Sequence, residues 1–420
     1  MAAANTTTAT AAKKVILAPM VRTGELPTRL LSLKYGADMV WGPEIVDKAI
    51  IGCKRVINKR TGTIDFVKPS GGARGEEKVV FRTHPEIEGG KVVFQMGTAN
   101  AELAVEAAKV LVSRGEDGER EGGTVVAGVD VNSGCPKHFS IHAGMGAGLL
   151  KNPDNLVAIL TSLVTQIGIP HSLPISVKIR LLEPHSETLK LVERLCTTGI
   201  YRLTLHCRTI PQRPRDPAIR DVLADVANIC HAAGVECIAN GDVLSRSHAL
   251  QLCDEYGVDG CMIARAAEVN MSVFLPDKPL PWKEIADEFV KTAVKIESHF
   301  TNTKFVLGRI IPGKDPIYQK VHQAKTHEQI CDILGIPYEP LSPAIVEEMS
   351  VEGKATTKAV EKAKSVSATA RAAGGVVAPR KEGRKLAERG VGSAANLKAA
   401  AEREAEIATV AIPEQASVSV

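Results

Sequence analysis

The 420-residue chain is poor in aromatic residues, with Phe, Trp and Tyr together at 4%. It has no uninterrupted apolar run of about eighteen residues, the length needed to cross a bilayer, so a membrane-spanning helix is excluded. Its nine cysteines are scattered singly with no C-x-x-C pair. That excludes a disulfide framework or a zinc ribbon, leaves no metal site to expect, and points to a reducing compartment. Met1 to Ala12 is an Ala/Thr tract with neither Arg nor the apolar core of a signal peptide, so a cytoplasmic, monomeric protein is expected. There is no Phe, Trp or Tyr between Val351 and Val420, a segment with 18 Ala and 12 Lys/Arg against 8 Asp/Glu. With so little to bury against the entropy of ordering, 351–420 is expected to be disordered, as is 1–13.

Outside that tail the charges balance, with 40 of each sign in residues 1–350. From Val15 to Ala267 a short apolar run is followed repeatedly by polar punctuation and a longer helical stretch. The runs are Val15 to Ala18, Met39 to Trp41, Val92 to Gln95, Gly128 to Val131, Ile175 to Ile179, Leu203 to His206, Cys237 to Ala239 and Gly260 to Ile263. Helices are expected over Pro27 to Tyr35, Ala101 to Val112, Pro153 to Gln166, Glu187 to Thr197, Ala218 to His231 and Arg246 to Tyr256. Eight β-then-α units suit an α/β fold of the (β/α)8 TIM-barrel type over 14–280. A doubly wound sheet would lead its first strand into G-x-G-x-x-G, which is absent here. Gly/Arg/Glu-rich Pro69 to Lys78 and the stretch Arg114 to Gly123 read as inserts. Past Pro281, Ile285, Phe289, Ala293, Ile296 and Phe300 recur at helical spacing, so 281–350 is expected to be a smaller all-α domain.

Catalytic groups of a barrel collect where strands end. Here the ends supply Ala18-Pro19-Met20, Glu44, Gln95, Asn132 with Cys135, Lys178, His206, Asn240-Gly241-Asp242 and Ala264-Arg265. Loops after the seventh and eighth strands of barrels often hold phosphate, and Asn240-Gly241 with Arg265 offers backbone and a guanidinium for one. A phosphate-bearing cofactor is implied; the plainer reading is a turn at Gly241 and an ion pair between Arg265 and Asp242. Cys135 differs from the other cysteines by its frame, with Pro136 stopping the strand and glycines 144, 146 and 148 allowing a loop to close. As a nucleophile it needs a base, for which His138 is one candidate. Alternatively a neutral thiol donates a proton.

These residues carry a family resemblance. Ala18-Pro19-Met20-Val21-Arg22, Cys53 to Val56, Val92 to Gly97, Asp130 to Lys137, Gly144 to Leu150, Lys178-Ile179-Arg180, Ile238 to Gly241, Ala264 to Ala267 and Thr301 to Lys304 resemble the flavin-dependent tRNA-dihydrouridine synthases, in particular the eukaryotic dihydrouridine synthase 2 branch. The resemblance implies an FMN-containing barrel, a helical domain that grips tRNA, and electrons from NADPH. It implies that Ala18, Pro19, Met20, Glu44, Gln95, Lys178, His206, Asn240, Gly241, Ala264 and Arg265 surround FMN; Asp242 departs from the family, which has a second glycine there, and brings a carboxylate close to the phosphate that weakens FMN binding if it points inward. Cys135 would protonate C5 of a uracil, in the D-loop at position 20, as hydride reaches C6, and Asn132 would help hold the base.

The segment Pro281 to Ser350 has 8 Lys/Arg against 10 Asp/Glu, so its formal charge does not favour RNA. Better placed for phosphate are Arg208, Arg213 and Arg215 after the sixth strand, then Lys54, Arg55, Lys59 and Arg60. Two other functions fit less of the pattern. An FMN-barrel oxidoreductase of a free pyrimidine would turn over uracil or dihydroorotate and has no use for a helical domain. A catalytically silent RNA-binding scaffold would be colourless when purified.

Overall fold

The computed structural model describes residues 12–69, 77–113 and 125–340; the tail and nearly all of the N-terminus expected to be disordered, most of the insert 69–78 and the whole of the insert 114–123 lie outside the described residues. Eight parallel strands form the closed barrel expected: β1 (Lys14–Leu17), β2 (Met39–Trp41), β3 (Val92–Gly97), β4 (Gly128–Ser133), β5 (Ile175–Leu181), β6 (Arg202–Thr209), β7 (Glu236–Asn240) and β8 (Gly260–Ile263). Pairing of β1 with both β8 and β2, and of β2 with β3, closes the ring.

Alternation along each strand sends one set of side chains out and the other in. Val15, Leu17, Val129, Val131, Val177, Ile179, Leu203 and Leu205 face the outer helices in one large core. Ile16, Ala18, Trp41, Val93, Ile238 and Met262 form a separate inner cluster. By the same alternation Gln95, Asp130, Asn132, Ser176, Lys178, Thr204 and His206 also point inward. The inner apolar cluster is thus drawn mainly from β1, β2, β7 and β8, with Val93 of β3, while the inward polar groups concentrate on β3 to β6.

Three expectations change. The connection after β2 is more than an insert: Lys54–Asn58, Thr63–Pro69 and Glu77–Thr83 form an antiparallel sheet. Phe66 and Phe81 of that sheet pack together, and Phe81 stacks edge-on against Phe94 of β3 at 5.1 Å between centroids. The helix expected from Ala218 starts at Leu223, because the backbone N–H of Ala218 is drawn 2.8 Å from Asp242 Oδ2. The single helical run through Phe300 is broken into Trp282–Lys295 and Phe300–Ile310, with Glu297 between them at a φ of 51°.

With Pro316–Gln323 and His327–Leu334 these helices enclose a second core of Ile285, Phe289, Leu307, Ile310 and Ile330. Leu31 of the helix Leu26–Lys34 and Tyr35, which caps that helix, reach into it. The barrel and the helical segment are therefore joined by apolar packing as well as by chain.

Candidate active site at the carboxyl ends of the strands

Asn132 ends β4 with its side chain turned back on the chain. Its Oδ1 accepts the N–H of Gly134 at 2.9 Å and that of Cys135 at 3.1 Å, an Asx turn that fixes where the cysteine emerges. Ala147 N–H donates to the Cys135 carbonyl at 3.0 Å, so the glycine-rich stretch folds back over the cysteine. At Gly146 an added Cβ would lie 2.8 Å from that carbonyl oxygen; only glycine permits the approach. Asn132, read from the sequence as a contact to the base, is placed to position Cys135. His138 meets a different partner, His142, at 3.2 Å between Nε2 atoms.

Below Cys135 lies a chain of polar groups spanning adjacent strands. Asp130 accepts from Gln95 Nε2 at 2.8 Å and from Ser176 Oγ at 2.6 Å, and Gln95 Oε1 faces Asn132 Nδ2 at 3.5 Å. Burial holds the Asp130 and Glu44 carboxyls above the usual carboxylate range, opposed for Glu44 by a hydrogen bond from Asn132. Glu44 Oε1 is buried with no partner among the described residues, a spare acceptor at the end of the chain.

Lys178 sits in register with Asn132 on one side and Thr204 on the other. Protein surrounds its ammonium while the side chain is still partly reached by solvent from the mouth. Burial first, then the nearby Arg180, lowers its pKa from 10.5 to about 8. The sign follows directly. Between pH 8 and 10.5 the unfolded chain keeps a proton that the folded chain has released, so the protein without ligand should gain stability as pH rises through that window. Urea titrations at pH 7 and 9.5 check this, and Lys178→Met should remove the gain.

His206 is held well below its ordinary pKa, by burial first and then by Lys178, Arg180, Arg208 and Arg265 around it. It is neutral at pH 7. Arg208 has only donors, and its Nη1 lies 3.4 Å from His206 Nε2, which leaves the ring proton on Nδ1.

Asp242 organises the far wall. Arg208 Nη2 donates to its two oxygens at 2.5 and 2.6 Å, and Arg265 Nη2 donates to Oδ1. Arg265 Nη1 also reaches the Pro214 carbonyl at 2.8 Å, and Arg220 Nη2 the Gly241 carbonyl at 2.9 Å. Two guanidinium groups thus meet one carboxylate while a third, Arg220, is held on the Gly241 backbone, leaving positive charge unspent. Gly241 turns beneath them with a φ of 118°, where any side chain would be strained and would crowd His206. Arg208, read from the sequence as an RNA contact, is 4% exposed and serves this wall; Arg213 and Arg215 are exposed on the loop above.

Sequence reasoning also missed Arg180, whose Nε donates to the Gly134 carbonyl at 2.6 Å and Nη1 to the Thr209 carbonyl at 3.1 Å. Burial and Arg208 lower its pKa to about 10. Its signal was the two-residue spacing from Lys178, which puts both cations on the inner face of β5.

A parallel barrel with a polar, cation-rich carboxyl-terminal mouth and a cysteine on its rim has the makings of a barrel enzyme for an anionic ligand. The chain belongs to the dihydrouridine synthase family, whose match runs over residues 16–329. It is 50% identical over 331 residues to the tRNA-dihydrouridine(20) synthase (NAD(P)+) of Schizosaccharomyces pombe, a match spanning 78% of this chain and 66% of that one. To the protein of the same name from Saccharomyces cerevisiae it is 45% identical, spanning 77% and 84%. A human tRNA-dihydrouridine(20a/20b) synthase-like protein is 29% identical, over 65% of this chain and 74% of that one.

Proposed function

We propose that this protein reduces a uridine of tRNA, position 20 of the D-loop, to 5,6-dihydrouridine, using FMN as cofactor and NADPH as electron source. The observation that carries the reading is the pairing of two walls across one lumen. One wall presents Cys135, fixed by Asn132 and Gly146; the other gathers Arg208, Arg265 and Arg220 around Asp242 and Gly241.

The residues fit FMN. Surplus guanidinium charge and the exposed backbone at Gly241 suit a phosphate, while Pro19, Met20, Ala18 and Ala264 offer an apolar slot. Lys178, Gln95 and the Nδ1–H of His206 supply donors for the polar edge of an isoalloxazine ring. FMN held there would, once reduced, be the source of the hydride for C6 of the uracil. Cys135 gives its Sγ proton to C5, completing the saturation of the double bond. Lys178 and Arg180, both within electrostatic reach of the thiol, offset the charge left on sulfur until solvent returns a proton. In balance, uridine, NADPH and one proton give dihydrouridine and NADP+. Arg213 and Arg215 on the rim are suited to RNA phosphates, which give affinity without sequence.

Arg265→Ala leaves Arg208 and Asp242 as a closed, neutral pair and removes a charged hydrogen bond of about 1.5–3 kcal/mol. FMN affinity is expected to fall roughly 10- to 100-fold, read as bound flavin after dialysis. Full occupancy in the variant would remove Arg265 from the phosphate site. The function itself is tested by mapping dihydrouridine in tRNA from cells lacking the protein. Loss at position 20 alone is expected; an unchanged modification pattern contradicts the reading.

A further inference from the structure

Two strings marked by the family resemblance take no part in the chemistry above, Val21-Arg22 and Thr301 to Lys304. The fold brings them together. Arg22 has a φ of 68°, a region that residues other than glycine seldom occupy. Its carbonyl accepts from Asn302 Nδ2 at 2.9 Å, and its Nη2 lies 3.4 Å from the Thr301 carbonyl. Its guanidinium lies over the Phe305 ring, 3.8 Å from the centroid.

The turn held from outside in this way is also held from within. Gly24 N–H donates to the Met20 carbonyl at 2.7 Å, and Arg29 Nη1 donates to the Gly24 carbonyl at 2.8 Å. Thr23 Oγ1 donates to Glu268 Oε1 at 3.2 Å, and Arg309 Nε lies 3.4 Å from the same oxygen. Glu268 belongs to the short helix Arg265–Val269, which starts at the guanidinium of the phosphate wall. The helix Phe300–Ile310 therefore grips two segments at once: the turn that carries Pro19 and Met20, and the element that carries Arg265.

We infer that Asn302 and Arg22 are positioning residues: through them the helix Phe300–Ile310 sets the turn after β1 that carries Pro19 and Met20 at the mouth of the lumen, where flavin and uracil must meet. This rests on the tRNA-reducing function proposed above. The strained backbone at Arg22 is what makes the hold necessary, since a residue at this φ relaxes when its neighbours release it. Neither residue touches the reacting atoms. Their loss should displace the substrate pocket while the Arg208–Asp242–Arg265 wall and the NADPH half-reaction persist.

The test uses full-length holoenzyme carrying Asn302→Ala, with Arg22→Lys as a milder second variant that keeps the charge and loses the planar stack. Amide exchange of the peptide containing Val21 to Gly24 should quicken by about tenfold, as expected of a turn released from its tertiary hold. Reoxidation of the NADPH-reduced flavin at saturating tRNA should slow by about 10- to 100-fold, the cost of an ångström-scale misplacement, with KM for tRNA changed by less than about threefold. FMN content after dialysis should fall only slightly, because the Arg208–Asp242–Arg265 wall keeps its hold while the slot at Pro19 and Met20 loosens, and NADPH bleaching should proceed near the wild-type rate. Unchanged exchange in Asn302→Ala overturns the inference whatever the kinetics. So does quicker exchange with an unchanged maximal rate, or a defect confined to KM. If wild-type holoenzyme is not reoxidised by tRNA, the proposed function fails, and the exchange measurement still decides whether the joint holds the turn.

Discussion

Cys135→Ala is expected to separate the two half-reactions of the proposed mechanism. Anaerobic bleaching of the flavin by NADPH should proceed near the normal rate, because the thiol lies on the Asn132 turn, on the wall opposite Arg265 and Asp242. Reoxidation by unmodified tRNA should slow by about 10² to 10⁴-fold, the usual contribution of a positioned general acid. The backbone that places residue 135 stays intact, since Asn132 and Ala147 bind its N–H and C=O and not its sulfur. Cys135→Ser should recover little, because a hydroxyl is a far weaker acid than a thiol. Single-turnover stopped flow reads both steps, and a wild-type reoxidation rate in the Ala variant would make Cys135 a structural residue.

The largest effect on stability is expected from Glu88→Gln. Arg29 and Glu88 are wholly buried and paired at 2.6 Å, with a second contact at 3.1 Å. Arg29 also donates to the carbonyls of Gly24 and Arg82, and Glu88 accepts from Thr83 Oγ1 and the His84 N–H. Such a pair gains little over an apolar replacement, but breaking it strands a guanidinium in the core. The expected loss is about 3–5 kcal/mol, seen as a lowered urea midpoint with little change in slope. The double variant Arg29→Met with Glu88→Leu should recover only part of this, since it frees two carbonyls as it removes the charge. A loss below about 1 kcal/mol in Glu88→Gln would mean that water reaches the pair.

The contrast between what was readable and what was not follows from distance along the chain. The eight strands were legible because each is buried on both faces and bounded by turn residues. The helices Ala101–Val112 and Arg246–Tyr256 were legible to the residue, and each starts behind a side-chain cap, Asn100 on the Leu103 N–H and Ser245 on the His248 N–H. Cys135 stood out because its partners, Asn132 and Gly146, are close in sequence. Arg29 was not legible as a buried charge, because its partner lies 59 residues away. Asp242 likewise looked like a liability beside a phosphate until the fold brought Arg208 to it from 34 positions upstream. The sheet after β2 was hidden by its own charges, with Lys54, Arg55, Lys78 and Arg82 interrupting the two-residue period.

Whether a reduced flavin in this barrel is spent on a uridine of tRNA is decided by mixing anaerobically reduced holoenzyme with tRNA that lacks dihydrouridine. The flavin absorbance should return in a single turnover, with one dihydrouridine formed per flavin reoxidised. Absorbance that stays bleached with tRNA and returns with a free pyrimidine would contradict the proposed function.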